Sequence, residues 1–465
     1  MLFGPVTTSV AQNGEYRPLR MLTPLPSPEL SASGGRAFPE TGQTTPVPVS
    51  VSLREAIDRG LRNDVVALVG AQDIRVAEGE RWKAMKDLLP NVSAHVLQAR
   101  ELLNTAAFGF DLGVIGPYSI FDARVSVIQP LFDLQAAHKV RAETATIDAR
   151  RHSYENVREF VTVAITNLYL QTVAATNTLR EAQGRFGAVE IGRVAARKDG
   201  EATARQRAQQ DQILLLENAM KKRKLALARA IGVPPGQDFT LTDQISYSPI
   251  HFTSIDEAVD RAYLQRADYQ EALDRVRAAE SRVKSTSSAR LPSVVVQGDY
   301  GDIGPSASTA VKTFGLRTHV RLSIFDAERH GKIVQAHAEL EQARARLNDL
   351  RTGVYYDVQA ALLDVQTADV QVRVSRGAVE AAEARLAQSD ASRINRGIGV
   401  IPTAGIQLVT TADADADDDQ AHDAILGART NYTSALYGYN AAKLNLMRAL
   451  GGVEKTIGEL FAGGR

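Results

Sequence analysis

The sequence contains no cysteine, no long apolar run and no excess of either charge. The lack of cysteine excludes disulfides, thiolate metal sites and cysteine catalysis. The 54 basic and 54 acidic side chains cancel, so the composition gives no electrostatic support for nucleic-acid binding. No apolar stretch reaches the roughly 20 residues that a transmembrane helix needs, so a membrane-spanning part would have to be built from β-strands.

Proline is missing from two long segments, 131–233 and 306–401. Within them, residues 134–198 and 327–396 are rich in Ala, Glu, Arg, Gln and Leu, which favour helix. A helix of that length spans about 100 Å. Residues 338–368 carry apolar side chains at three- and four-residue steps, which is the pattern of a coiled-coil seam. We therefore predict very long helices that pack lengthwise on one another.

The first fifty residues are different, because eight of the 17 prolines lie between Pro5 and Pro48. Such a segment cannot bury enough apolar surface to fold alone, and it is predicted to be a linker over residues 1–49. No basic segment followed by an apolar segment is recognisable at the N-terminus, so the sequence gives no sign of a signal peptide.

Four landmarks occur twice in the same order, which predicts a tandem duplication. We predict a first repeat over 50–235, a connecting segment over 236–252, a second repeat over 253–453 and a tail over 454–465. The paired landmarks are residues 51–64 and 253–268, Leu89-Pro90 and Leu291-Pro292, residues 131–133 and 324–326, and residues 227–233 and 446–452.

Each Leu-Pro pair ends a helix-like stretch and begins strand-like alternation, because proline disfavours helix at the residue before it. Strands are predicted over about 91–100, 120–131, 293–300 and 313–325, and "DYGDIGP" (299–305) is interpreted as turn chemistry. On the predicted lipid-facing side lie Phe121, Val125, Val127, Phe314, Leu316, Val320, Leu322 and Ile324. On the predicted lumen side lie Arg124, Ser126, Arg317, His319 and Arg321.

Four strands cannot close a barrel, because roughly eight are the minimum, and unpaired edges are not tolerated in lipid. If these strands span a membrane, several copies of the chain must contribute to one barrel. A shared barrel standing on helices of this length would be a tunnel.

The duplicated Leu-Pro strand entries resemble the TolC-type outer-membrane efflux family, as do "SVIQPLFD", "RLSIFD", "ITNLYLQ" (165–171) and "NYTSALYGYNAAKLNLMRALG" (431–451). The resemblance covers about residues 51–455. It implies an α+β membrane protein with duplicated helical hairpins and four strands per chain, which trimerises into a twelve-stranded outer-membrane barrel and a periplasmic tunnel. It further implies a periplasmic adaptor protein and an inner-membrane pump as partners, passive export of small molecules or proteins, and no cofactor or catalysis.

An acidic stretch near the predicted periplasmic tip departs from the family pattern. Gln407 stands where the family commonly has an acid, and a run of aspartates follows it. A trimer would bring eighteen of these carboxylates, six from each of three chains, to the tunnel entrance and attract cations. A solvated loop is the equal alternative, and a calcium site is disfavoured because the Gly turn and terminal Glu are missing. The candidate residues are Gln407, Asp413, Asp415, Asp417, Asp418, Asp419 and Asp423.

Other classes of function have weaker support. The sequence has no HExxH, GxSxG, GxxxxGK[ST] or GxGxxG pattern, so an enzyme or a metal site is not predicted. Two alternatives remain at this point: a soluble coiled-coil scaffold, and a periplasmic adaptor protein, which would carry only one helical hairpin.

Overall fold

A computed structural model of the chain describes residues 47–109, 113–194, 201–244, 246–250, 254–324, 326–398 and 411–460. Most of the predicted N-terminal linker and the last five residues of the predicted tail lie outside the described residues.

The described residues contain long helices and two sheets. The helices are α1 Leu53–Asn63, α2 Val65–Met85, α3 Leu134–Val194, α4 Glu201–Ala230, α5 Ile255–Gln265, α6 Ala267–Ser288, α7 Ala327–Ile398, α8 Thr411–Leu450 and α9 Val453–Thr456. The strands are β1 Val49–Val51, β2 Asn91–Asn104, β3 Val114–Phe132, β4 Phe239–Leu241, β5 Ser293–Gly304 and β6 Val311–Arg321. The 72 residues of α7 span about 110 Å at the helical rise of 1.5 Å per residue.

The element order repeats, as the sequence predicts. Two helices, two antiparallel strands and two long helices occur as α1-α2-β2-β3-α3-α4 and again as α5-α6-β5-β6-α7-α8. Both transitions from helix to strand occur at the Leu-Pro pairs, with α2 ending at Met85 before β2 and α6 ending at Ser288 before β5.

Short polar residues set the helix starts in the first repeat. The hydroxyl of Ser52 accepts a hydrogen bond from the Glu55 amide at the start of α1. The carboxylate of Asp64 separates α1 from α2 by accepting from the amides of Val66 at 2.9 Å and Ala67 at 3.0 Å. Such caps satisfy amides that have no partner inside the helix.

The strands differ from their predicted bounds at several ends. β3 begins at Val114, six residues before the predicted start, and β2 runs on to Asn104, so the first hairpin is longer than predicted. The predicted strand 313–325 ends at Arg321 instead, so Leu322 and Ile324 follow the strand rather than forming part of it. Arg321 pairs with Ser293, the first residue of β5, and Pro292 before it has no amide hydrogen to extend the ladder.

β2, β3, β5 and β6 form one antiparallel sheet in that order. Thus the second strand of the first repeat pairs directly with the first strand of the second repeat, from Phe121 opposite Gly304 to Phe132 opposite Val294. The register shifts between Pro130 and Phe132, where proline cannot donate to the ladder.

A second, two-stranded sheet was not predicted. Val49–Val51 pairs in parallel with Phe239–Leu241. Val49 belongs to the predicted linker 1–49, and Phe239–Leu241 lies in the predicted connecting segment 236–252. Both segments therefore contribute ordered structure to the body of the chain.

Each repeat has its own buried core where its short helices meet its long ones. In the first repeat, Val51, Tyr169, Leu227 and Phe239 belong to one buried cluster that joins β1, α3, α4 and β4. The matching cluster of the second repeat lies between α5, α7 and α8. It contains members of the predicted seam, which are Val354, Val358, Ala361 and Val365. Among the helices described, none is both long and apolar enough to cross a bilayer.

Candidate functional site: the four-stranded wall and its supporting helices

The register of the four-stranded sheet gives it one polar and one apolar face. Ser126 pairs with Asp299 and Asp299 with Gly315, whereas Val125 pairs with Tyr300 and Tyr300 with Phe314. Directly paired residues share a face. The five predicted lumen residues therefore lie on one face, which we call the polar face: Arg124, Ser126, Arg317, His319 and Arg321. Six of the predicted lipid-facing residues lie on the opposite, apolar face: Phe121, Val125, Val127, Phe314, Leu316 and Val320.

The apolar face is uncovered in the single chain. Phe314 is 80% exposed, Leu316 73% and Val320 67%, and Val96 on β2 is 72% exposed. Large apolar side chains in a contiguous exposed row mark a surface that another apolar medium or partner covers. Leu322 and Ile324 are also exposed, but they lie in the segment that leads from β6 to α7.

Two carboxylates on the polar face hold arginines in place. Arg124 donates to Asp122 through Nε at 2.6 Å and through a second, shorter contact. Asp299 lies 3.6 Å from Arg124 Nη1 and 3.8 Å from Arg317 Nη1. The side chains of Asp122 and Asp299 are 9% and 8% exposed, whereas that of Arg317 is 58% exposed. The acids thus lie beneath the guanidinium groups.

Glycines make room for this cluster. A Cβ at Gly301 would lie 2.1 Å from the Ala123 carbonyl and 2.6 Å from Arg124 Cα, and one at Gly315 would lie 2.8 Å from Asp299 Oδ1. The interpretation of residues 299–305 as a turn was wrong, since residues 299–304 belong to β5. Their glycines allow close approach of neighbouring strands rather than a reversal of the chain.

Sequence reasoning missed Asp122 and Asp299 as members of the site. Their partners Arg124 and Arg317 were assigned to the lumen side by alternation. The alternation also puts Asp122 and Arg124 on one face of β3, but Asp299 meets them only through the pairing of β3 with β5. A local sequence pattern carries no signal for such a pairing between distant strands.

The "ITNLYLQ" motif joins α3 to the small sheet. Tyr169 is fully buried, and its hydroxyl lies 3.2 Å from the Val51 carbonyl and 3.1 Å from Asp243 Oδ2. The same carboxylate oxygen accepts from the Leu53 amide at 2.6 Å. Burial raises the pKa of Tyr169, so the hydroxyl stays neutral and available as a donor.

The second motif, residues 431–451, contacts the first. Tyr437 donates to the Asn167 side chain at 3.0 Å, which links α8 to the "ITNLYLQ" segment of α3. Tyr439 is buried, donates to the Ser248 carbonyl at 2.9 Å and packs 5.1 Å from the ring of Tyr247. The hydrogen bond to Asp369 raises the pKa of Tyr247 to about 12. These tyrosines therefore serve helix packing.

Part of the acidic stretch lies at the start of α8. Gln407 lies outside the described residues. Asp413, Asp415, Asp417, Asp418 and Asp419 lie within the helical backbone of α8, but their side chains are outside what the structure describes. Asp423 lies one turn further along the same helix and takes part in a hydrogen bond, ion pair or electrostatic interaction. Among the residues that the structure describes, no three His, Asp or Glu side chains are grouped so that they could hold a metal ion.

Comparison with known proteins bears on the second repeat directly. Residues 258–452 match the family model described as outer membrane efflux protein. This match lies within the second repeat. The predicted resemblance to TolC-type efflux proteins is thereby confirmed. No curated protein matches the chain by sequence.

Over most of its length, the chain has a fold similar to those of solved bacterial outer-membrane proteins. The Campylobacter jejuni CmeC outer membrane channel superposes with a TM-score of 0.67 at 16% identity, covering 88% of this chain and 89% of that one. The open-state Neisseria gonorrhoeae MtrE outer membrane channel gives 0.67 at 14% identity, with 86% and 89% covered. The Vibrio cholerae outer membrane protein VceC gives 0.65 at 18% identity, with 86% and 96% covered.

These likenesses show the fold, and the family match supplies the class of function. The family consists of outer-membrane efflux proteins, so the predicted function and outer-membrane location agree with it. Neither the scaffold nor the adaptor alternative is supported by the family or by the fold.

Proposed function

We propose that three copies of this chain form one outer-membrane efflux channel, with a twelve-stranded barrel above a periplasmic tunnel of long helices. The observation that carries this proposal is the four-stranded sheet with an uncovered apolar face and two terminal strands, β2 and β6, that each pair on one side only within the described chain.

The sheet explains why several copies are needed. Unpaired strand edges are not tolerated in a bilayer, so β6 of one copy must pair with β2 of the next until the ring closes. Four strands are below the minimum for a barrel, whereas three copies supply twelve. In this arrangement the apolar face contacts lipid and the polar face lines the lumen.

The channel itself performs no chemistry in this proposal. Solutes enter through the helical tunnel from a periplasmic adaptor protein and an inner-membrane pump, and the pump supplies the energy. The tyrosines of the two motifs have a structural role in this proposal, because they join helices to each other and to the small sheet.

The absence of native cysteine makes the β6–β2 contact directly testable. Cysteine is introduced at Thr318 on the apolar face of β6, together with cysteine at Val92, Ala94 or Val96 on the same face of β2. We expect one of the three pairs to form a disulfide between copies in outer-membrane fractions, giving a trimer that resists denaturing electrophoresis until it is reduced.

The matched control pairs Thr318→Cys with Val125→Cys on β3. β3 pairs with β2 and β5 within the chain, so its cysteine is not available to a neighbouring copy. Failure of every β2–β6 pair to cross-link, in protein that fractionates with the outer membrane, would contradict the shared barrel. A soluble monomer would contradict the channel itself.

A further inference from the structure

On the polar face of the sheet, the positively charged side chains are more exposed than the negatively charged ones. Arg317 and Arg321 lie on this face of β6 with His319 between them, and all three are exposed. The carboxylates of the same region, Asp122 and Asp299, have side chains that are 9% and 8% exposed. A solute that passes along this face therefore meets guanidinium groups before it meets carboxylates.

The buried acids act as supports for the arginines. Asp299 contacts both Arg124 and Arg317, and Asp122 accepts two hydrogen bonds from Arg124. Each guanidinium has five donors in a fixed plane and stays charged at any physiological pH, so a carboxylate on one side leaves donors free on the other. Glycine at 301 and at 315 leaves the space that this arrangement needs.

The remaining acid on this face of the four described strands is remote from the arginines. Glu101 pairs with Tyr118 near the far end of the first hairpin, and its carboxylate accepts from the Tyr118 hydroxyl at 3.2 Å. Tyr118 is six residues from Arg124 along β3, which corresponds to about 20 Å. Glu101 therefore does not neutralise the charge on β6.

We propose that Arg317 and Arg321, with Arg124 beside them, form an anion-selective belt inside the barrel, favouring solutes that carry carboxylate or phosphate groups. The inference rests on the proposed function, because it requires the polar face to line the lumen. Three copies of the two exposed arginines would place six guanidinium groups around one water-filled passage. Charge of one sign in a narrow passage concentrates counter-ions, and guanidinium binds carboxylate and phosphate through paired hydrogen bonds.

The test measures ion selectivity of the full-length protein in planar bilayers. The zero-current potential in a KCl gradient gives the permeability ratio of chloride to potassium. We expect the R317Q/R321Q double variant to lower this ratio several-fold relative to the unaltered protein. Citrate added on the barrel side is expected to reduce the current of the unaltered protein and to have a much weaker effect on the variant.

The matched control is K312Q. Lys312 is an exposed cation of the same strand, but its register with Asp302 places it on the opposite face. Its neutralisation is expected to leave both the permeability ratio and the citrate effect unchanged. The R317K/R321K variant keeps the charges and is expected to retain the chloride preference, while weakening citrate block because lysine cannot form the paired hydrogen bonds.

The possible failures are distinguishable. Channels of R317Q/R321Q with an unchanged permeability ratio and unchanged citrate block would overturn the belt and leave the proposed channel intact. Purified trimers that conduct no ions would overturn the proposed function and the belt with it. If the double variant does not assemble, R321Q alone, which alters the last residue of β6, must shift the ratio in the same direction. An unchanged ratio in that variant overturns the inference.

Discussion

At the scale of single residues, the four-stranded sheet depends on glycines as well as on charged groups. Gly301 is buried opposite Arg124, and the Asp122–Arg124–Asp299 cluster occupies the space beside it. A strand glycine normally weakens a sheet. Here it allows a charged cluster to fit between neighbouring strands.

Gly301→Ala is expected to destabilise the sheet, because its Cβ would lie 2.1 Å from the Ala123 carbonyl. Overpacking of this kind costs about 1–3 kcal/mol. The measurement is the temperature at which the trimer dissociates, followed by electrophoresis of unboiled samples. Gly298→Ala is the matched control, since its Cβ would meet Leu316 Cδ1 at 3.9 Å, an ordinary contact. Equal dissociation temperatures for the two variants would show that the close approach at Gly301 does not matter.

At the scale of elements, the contact between α3 and α8 contains a half-buried acid, Glu181, with incomplete hydrogen bonding. Glu181 on α3 accepts from the Thr433 hydroxyl of α8 at 3.4 Å, and its other carboxylate oxygen is buried with no hydrogen-bond partner among the described residues. Burial raises the pKa of Glu181, although the hydrogen bond from Thr433 and the charge of Arg429 on α8 oppose the shift. Arg429 is itself paired with Glu383 of α7 at 2.9 Å.

Glu181→Gln is expected to raise the unfolding temperature at pH 7 and to have little effect near pH 4. Because the pKa of Glu181 is higher in the folded than in the unfolded state, protonation of its carboxyl group stabilises the folded state. This stabilisation is complete below the ordinary pKa of glutamate and is lost as pH rises through the pKa of the folded state. Glutamine is neutral at every pH, so the variant keeps this stabilisation at pH 7. Circular dichroism of the helices at both pH values measures the effect, and Glu341→Gln, in an exposed pair with Arg344, is the control. A shift of the same size at both pH values would contradict the assignment.

The elements that follow a local period could be predicted from the sequence, and those that depend on distant pairing could not. The helices α3 and α7 and the alternation of β6 follow from proline spacing and from periods of 3.6 and 2. The sheet of Val49–Val51 with Phe239–Leu241 could not be predicted, because three-residue parallel strands far apart in sequence carry no local signal. Asp299 was missed for the same reason, since only the β3–β5 and β5–β6 registers bring it to Arg124 and Arg317.

At the scale of the whole molecule, the proposed channel carries opposite charges toward its two ends. The arginines of β6 lie in the four-stranded sheet, whereas the aspartates at the start of α8 follow α7, which is about 110 Å long. The two groups would therefore act on a passing ion one after the other. Each can be neutralised without altering the other.

The D417N/D418N/D419N variant is expected to raise the permeability of chloride relative to potassium, the reverse of the change expected for R317Q/R321Q. Three copies would lose nine carboxylates, three from each chain, at the predicted tunnel entrance. The zero-current potential in a KCl gradient gives the permeability ratio for both variants. The two variants are expected to shift this ratio in opposite directions, so each is a control for the other. Unchanged selectivity in the aspartate variant would mean that these residues form a solvated segment with no role in the passage of ions.

The direct pairing of β3 with β5 has a consequence for the origin of the chain. Each repeat is one hairpin joined to helices, and the hairpin of the first repeat meets that of the second in the antiparallel sense in which β6 would meet β2 of the next copy. A ring of six identical half-length chains would also leave no strand edge unpaired. When two halves are joined in one chain, the two hairpins can differ in sequence. In this chain the hairpin of β5 and β6 carries two exposed arginines, Arg317 and Arg321, on its polar face, while Arg124 on the hairpin of β2 and β3 contacts two carboxylates. In the proposed channel, duplication thus allows a ring of six similar hairpins to have two chemically different kinds of hairpin, and so threefold chemistry.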